Sequence, residues 1–322
     1  MPGNTTKTQV PDEVSGFYDR TLLERAVSNF VHTRWAQIRD IPKNAGTLTV
    51  NFRRYGNLSA ATTPLSEGIT PTGSQLSVST VTATVAQYGD FVTVTDVLSF
   101  SSYDAVLTES AEIMGDQGGD TLDQVTRDVL AAGTTITYVG QVSRGAITIS
   151  NKITTTEVKK MVRTLKKNKA RMITRMVDPS TGYNTTPLNA CYVGICSPDT
   201  TYDLEAETNW IPVEKYSNKS DIMDGEVGSL ARVRFVESPN AKVFAGAGTG
   251  PVDVHATIIM GMHAYGITRI SGESMKNIVK PLGSAGSADP LDQRATSGWK
   301  ATFVAKILNN DFIGRIEHAV TA

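Results

Sequence analysis

"SGWKATFVAKILNNDFIGRIE", Ser297 to Glu317, decides the architecture by its character and its place. Trp299, Ala301, Phe303, Ala305 and Ile307 alternate with Lys300, Thr302, Val304 and Lys306, the period-two pattern of a strand with one buried face. Terminal segments fray unless something ties them down. An amphipathic strand this late in a 322-residue chain needs a sheet to complete, and the upstream sequence has to supply it.

Directly upstream, "KPLGSAGSADPLDQ" is a connector. From Pro187 onward, "LNACYVGICS", "ARVRFVES", "AKVFAGAGTG" and "HATIIMGMHAYG" are short apolar runs between Gly- and Pro-rich turns, the pattern of a compact α+β module. Nearer the N-terminus, "TLTVNFRRY" alternates as a strand. "QLSVSTVTATVAQYGDFVTVTDVL" is a longer β stretch, with a bend expected at Gly89-Asp90. Between them lie Gly56 to Gln75, where Pro64, Gly68, Pro71 and Gly73 forbid regular structure. A loop of this length in a compact domain is functional or floppy; here it suggests a β-arm reaching off the subunit. Met1 to Gly16 is polar and extended, and Leu22, Leu23, Ala26, Val27 and Phe30 give helical spacing within Phe17 to Arg39.

Tyr103 to Ala132 carries the longest helical pattern. Leu107, Ala111, Met114, Gly118, Leu122, Val125 and Val129 form one stripe, and Gly133 stands where a C-terminal cap belongs. Gly118-Gly119 weakens its centre, each mid-helix glycine costing about 1 kcal/mol against alanine; close packing and a built-in bend are both consistent with it. A second helix, Thr156 to Arg171, sets Val158, Met161, Val162 and Leu165 against a strongly basic remainder. Charge is sorted accordingly. Residues 55–140 hold ten acids and one base, and residues 141–180 hold ten bases and two acids. That suits either solvated faces or acidic and basic surfaces meeting between copies.

Composition excludes several classes. Hydrophobic residues make up 40% and charged residues 20%, an ordinary soluble balance. The net charge of −1 gives no general attraction to nucleic acid or anionic membrane. The start lacks a signal-peptide layout and no apolar run is long enough to span a bilayer. Cys191 and Cys196 read as small buried hydrophobes. His255 and His263 have no Cys or acid at ligand spacing from both, so no metal is expected. "FAGAGTGP", Phe244 to Pro251, lacks the final glycine of a dinucleotide fingerprint and the Lys-Ser/Thr of a P-loop. No catalytic constellation and no cofactor are expected.

"YDRTLLERAVSNFVHTRWAQIRDIPKNAGTLTVNFRRYGNLSAATTPLSEGITPTG", "VLTESAEIMGDQGGDTLDQVTRDVLAAG" and "DPLDQRATSGWKATFVAKILNNDFIGRIE" together resemble the major capsid proteins of N-four-type podophages. That family is similar to the Hong Kong 97-type fold of tailed phages and encapsulins. The resemblance implies an α+β capsid fold: N-terminal arm 1–45, extended loop 46–98, peripheral domain 99–186 with a spine helix, axial domain 187–271, and a return to the peripheral domain over 272–322. It implies a non-enzymatic shell protein forming pentamers and hexamers of itself, in the virion, assembled in the host bacterial cytoplasm. It would contact packaged double-stranded DNA non-specifically and work with a separate scaffolding protein, a portal and decoration proteins, but no membrane. Leu58, Leu65 and Ile69 are the expected contacts with neighbouring copies, and Gly118 and Gly119 the expected helix bend. No Lys occurs from Tyr55 to Gly140, so the Lys-to-Asn cross-link of some relatives is not expected. The alternatives are an encapsulin-like shell and a nucleotide-binding enzyme.

Overall fold

The computed structural model describes residues 31–44, 46–56, 58–65, 67–70, 72–101, 106–177, 185–216, 222–271, 275–284 and 289–321. The polar start and the helical spacing of residues 17–30 lie outside them. Among the described residues the strands fall into three sheets.

The expected terminal strand is β15, Arg294–Ile307, and it is the centre of a five-stranded sheet. Trp299, Ala301, Phe303 and Ala305 are buried while Lys300 and Lys306 are exposed. Its first ten residues pair antiparallel with β4, Ala86–Thr95. Residues 296–301 pair with β14, Met275–Lys280, and residues 304–307 with β13, Tyr265–Ile270. β1, Gln37–Ile41, adds to β13 in parallel. The helical spacing read as far as Arg39 therefore ends earlier: an open sheet edge claims Gln37–Ile41, and tertiary pairing overrides local pattern.

The spine is α2, Val106–Ala131, preceded by a short α1, Asp96–Ser101. Ala111, Met114, Gly118 and Leu122 are buried, with Val125 and Val129 packed at the margin of the same core. Trp299, Ala301 and Phe303 form the other side of that core. Gly133 follows the helix without the left-handed backbone of a glycine cap; its N–H bonds to the Leu130 carbonyl at 3.2 Å, which closes the helix in a tight turn instead.

β2, Thr49–Tyr55, and β3, Val78–Thr84, form a separate two-stranded hairpin. The expected bend at Gly89-Asp90 is absent, because β4 pairs without interruption through both residues. The long β stretch breaks at Val85, whose N–H bonds to the Leu48 carbonyl. Gly89 is needed for close approach: a Cβ there would lie 2.6 Å from the Trp299 carbonyl oxygen.

The nine-stranded sheet runs β5 (Ile136–Tyr138), β16 (Ile313–His318), β12 (Val254–Met260), β7 (Thr185–Cys196), β10 (Val233–Glu237), β9 (Glu226–Leu230) and β8 (Ile211–Pro212). β6 (Ile173–Val177) pairs with β7, and β11 (Val243–Phe244) with β12. α3, Thr155–Lys167, buries Val158, Met161, Val162 and Leu165 in the core of this sheet. α4, Pro198–Glu205, opens with Pro198 and with Ser197 Oγ accepting the Thr200 N–H at 3.3 Å.

The expected boundaries at 187 and 272 cut across the sheets. β5 and β6 from the preceding segment, and β16 from the following one, all join the nine-stranded sheet, while β13 joins the five-stranded one. The quoted C-terminal stretch is two strands in two sheets. Asn309 turns the chain between them, its side-chain oxygen accepting the Asp311 N–H.

Candidate assembly surface

Phe52, Ala83 and Val85 are buried at the root of the β2–β3 hairpin. Phe52 lies against Gly266 of β13, where a Cβ would come 3.1 Å from its ring. On the exposed face of the same strands polar contacts take over, such as Thr82 Oγ1 donating to Asn51 Oδ1 at 3.0 Å. The Gly56 N–H to Ser77 carbonyl bond, 2.8 Å, closes the hairpin. The described residues beyond it form neither helix nor strand. Leu58, Leu65 and Ile69 are 53%, 76% and 69% exposed there, and Leu76 and Val78 add to the apolar surface.

Three elements lock together at the centre of the spine. Trp299 Nε1 donates to Gln117 Oε1 at 3.1 Å, and Gln117 Nε2 donates to Asp90 Oδ2 at 2.8 Å, joining β15, α2 and β4. Those bonds also hold the Asp90 carboxyl below its ordinary range, the Gln117 contact first and the Phe91 N–H second. Gly118 is the seat of the indole. A Cβ there would stand 3.1 Å from the Trp299 ring and would meet the Met275 methyl. Gly118 is closely packed, and α2 runs unbroken through it and Gly119.

Sequence reading missed three buried polar sets. Asp123, wholly buried, accepts the Val31 and His32 N–H groups at 2.9 and 2.7 Å and lies 2.7 Å from His32 Nδ1. Tyr265 OH donates to the His32 carbonyl, so the segment at residue 31 is clamped to the spine. The signal was present: Asp123 is an acid inside an apolar stripe. Glu317, also wholly buried, takes two bonds from Arg144, 2.6 and 2.8 Å, with Arg315 at 2.7 Å. The Arg144 guanidinium lies 3.5 Å over the Phe244 ring.

His318, on β16, donates from Nδ1 to the Ala319 carbonyl and accepts at Nε2 from Thr257, both at 2.9 Å. It stacks on His255, which bonds Ser197 Oγ at 2.9 Å. Burial pushes His318 down to about 4 and lowers His255 as well. Cys191 and Cys196 are both buried thiols outside any disulfide, and burial pushes the Cys196 thiol up to about 12.

The "FAGAGTGP" loop spends its backbone donors on the protein. Gly246 N–H goes to Asp253 Oδ1 at 2.6 Å, Gly248 N–H to the Val252 carbonyl at 2.9 Å, and Thr249 N–H to the Ile147 carbonyl at 2.8 Å. Among the described residues no group of three or more His, Cys, Asp or Glu is gathered as a metal site requires, and no helix is long and apolar enough to cross a membrane.

The described residues thus present an arm with an apolar tip, beside a segment at residue 31 clamped to the spine and two large sheets. Residues 31–268 match a family described as phage capsid protein. The chain belongs to the phage capsid protein family. The fold is the Hong Kong 97-type arrangement of tailed-phage capsids. The capsid of Ralstonia phage GP4 superposes with a TM-score of 0.71 at 13% identity, covering 92% of this chain and 91% of that one. The cyanophage Pam1 capsid gives 0.64 at 17% identity over 92% of each chain. The capsid of cyanophage P-SCSP1u gives 0.63 at 14% identity, over 89% of this capsid protein and 88% of that one. No curated protein matches the chain in sequence.

Proposed function

We propose that this capsid protein is the major subunit of an icosahedral head. It assembles through pentamers and hexamers in the host cytoplasm and encloses double-stranded DNA. It acts without catalysis, with scaffolding, portal and decoration proteins as further partners. Residues 46–98 serve as the extended loop, with Leu58, Leu65 and Ile69 burying on an adjacent copy. The five-stranded sheet and α2 correspond to the peripheral domain and the nine-stranded sheet to the axial one. Gly118 and Gly119 are where the spine bends if the shell changes form.

The observation that carries this reading is the hairpin: ordered pairing out to Gly56–Ser77, then exposed leucine and isoleucine side chains with nothing of their own subunit to cover them. An apolar surface held away from its own core stabilises nothing until a second molecule buries it. Replacing residues 57–76 by Asn-Gly closes the pairing with a two-residue turn. The shortened subunit should unfold in urea as the parent does and yield no stable shells by negative-stain microscopy. Normal shells from the shortened chain would remove the arm from assembly.

A further inference from the structure

The charge sorting has two unequal halves. On the acidic side, carboxylates are engaged inside the subunit. Asp120 meets Gln124 and Asn240, Asp123 meets His32, and Asp128 meets Arg127 and Lys242. Glu112 and Asp116 are also partnered. The basic side is different. Arg144, Lys152 and Lys160 have Glu317, Asp203 and Glu157. Lys159, Arg163, Lys166 and Lys167 on α3, with Lys169 and Arg171 just after it, are exposed and have no carboxylate partner among the described residues.

These cations form a built surface. Lys159, Arg163 and Lys166/Lys167 step by three or four along one face, about 6 Å apart at 1.5 Å per residue. With Arg232 they line a cleft of about 630 Å³. Two of them also occupy backbone that glycine favours. Lys169, at φ 57°, is the left-handed residue that ends α3, with its N–H on the Lys166 carbonyl and the Ala170 N–H on that of Leu165. Arg232, at φ 69°, is the second residue of the two-residue turn between β9 and β10, where Asn-Gly is the comfortable choice. At both places the chain carries a cation in a conformation that disfavours side chains.

We propose that this tract holds the phosphate backbone of double-stranded DNA, which deepens the shell reading above and rests on it. A row of cations along a cleft whose lining holds no acid is what a polyanion with closely spaced charges requires, and phosphate contacts carry no sequence preference. An acidic face on another copy fits less well, because all of the spine's carboxylates except the exposed Glu109 are already engaged within the subunit.

The test uses the full chain and a random-sequence duplex of about 30 base pairs, followed by fluorescence anisotropy across NaCl concentrations. Changing Lys159, Arg163, Lys166 and Lys167 together to Gln keeps helix propensity. It should weaken binding at least about tenfold at 0.1 M salt and lower the slope of log K against log salt by about 0.9 per phosphate contact removed. Lys159→Arg with Lys166→Arg and Lys167→Arg should bind as the parent does. Lys169→Gly with Arg232→Gly should raise the melting temperature while weakening DNA binding, a trade no purely structural role predicts. Unchanged affinity and slope in the Gln variant would overturn the proposal. So would unchanged DNA binding with lost shells, which would make the tract a contact between copies or with scaffolding. The shell reading is tested separately by the parent protein's own particles, whose failure to form would not alter the DNA readout.

Discussion

At Gly118 two effects oppose each other, and magnitudes decide between them. Alanine would add about 1 kcal/mol of helix propensity. It would also press the buried Trp299 indole and disturb the bond to Gln117, and overpacking of that kind costs about 1–3 kcal/mol. Gly118→Ala should therefore leave the subunit slightly less stable in urea, with Gly118→Val clearly worse; a gain in stability would show that the indole has room. His318 offers a second check. Its imidazole stays neutral in the fold down to about 4, whereas an unfolded chain protonates it near pH 6.5. Between these values the unfolded state binds more protons, so stability falls as pH drops through that window and levels off below it, by about 3 kcal/mol at most for this group. His255, lowered in the same sense, adds to the fall. His318→Gln should flatten the dependence between pH 7 and 4. Unaltered steepness would assign acid sensitivity to the carboxylates.

Among the elements, β16 is the most exacting. All six residues are buried, and Gly314 admits the Met161 side chain of α3, which any Cβ would strike. Its Glu317 pairs with both Arg144 and Arg315, one carboxylate shared by two guanidiniums. Glu317→Ala strands a buried guanidinium, a loss of about 3–5 kcal/mol; calorimetry should show a large drop in melting temperature, partly restored by adding Arg315→Met. A drop under about 1 kcal/mol would mean water already reaches the pair. Elements whose pattern repeats were legible beforehand: the spine stripe, the α3 stripe, β2 and the alternation of β15. What escaped reading was relational. Whether Gln37–Ile41 is helix or strand depends on the free edge of β13, and whether Gly89 bends or packs depends on Trp299. The clamp of Asp123 on His32 joins residues 91 apart in sequence, a distance that no local period reports. Leu58, Leu65 and Ile69 stand out in the sequence as the few side chains able to bury in a loop with too little apolar surface to anchor itself, and in the fold all three are exposed.

For the whole molecule, the internal engagement of the acids changes what salt should do. Screening tightens from about 10 Å at 0.1 M to about 3 Å at 1 M. If the arm's apolar tip, rather than opposed charge, joins the copies, shell yield measured by light scattering should hold level or rise with NaCl over that range. DNA binding by the α3 tract should collapse over the same range. Yield falling in step with DNA binding would return the basic tract to the contacts between copies. A strictly monomeric species at all concentrations would contradict assembly altogether.

β3 continues into β4 with only Val85 between them, and β4 lies along β15 for ten consecutive pairs. Mechanically, the arm is thus the free end of a long tendon. A pull transmitted along β4 would load that whole row of backbone bonds in shear at once instead of peeling them in sequence. A shell stretched along that line would strain the subunit in the direction in which it yields last.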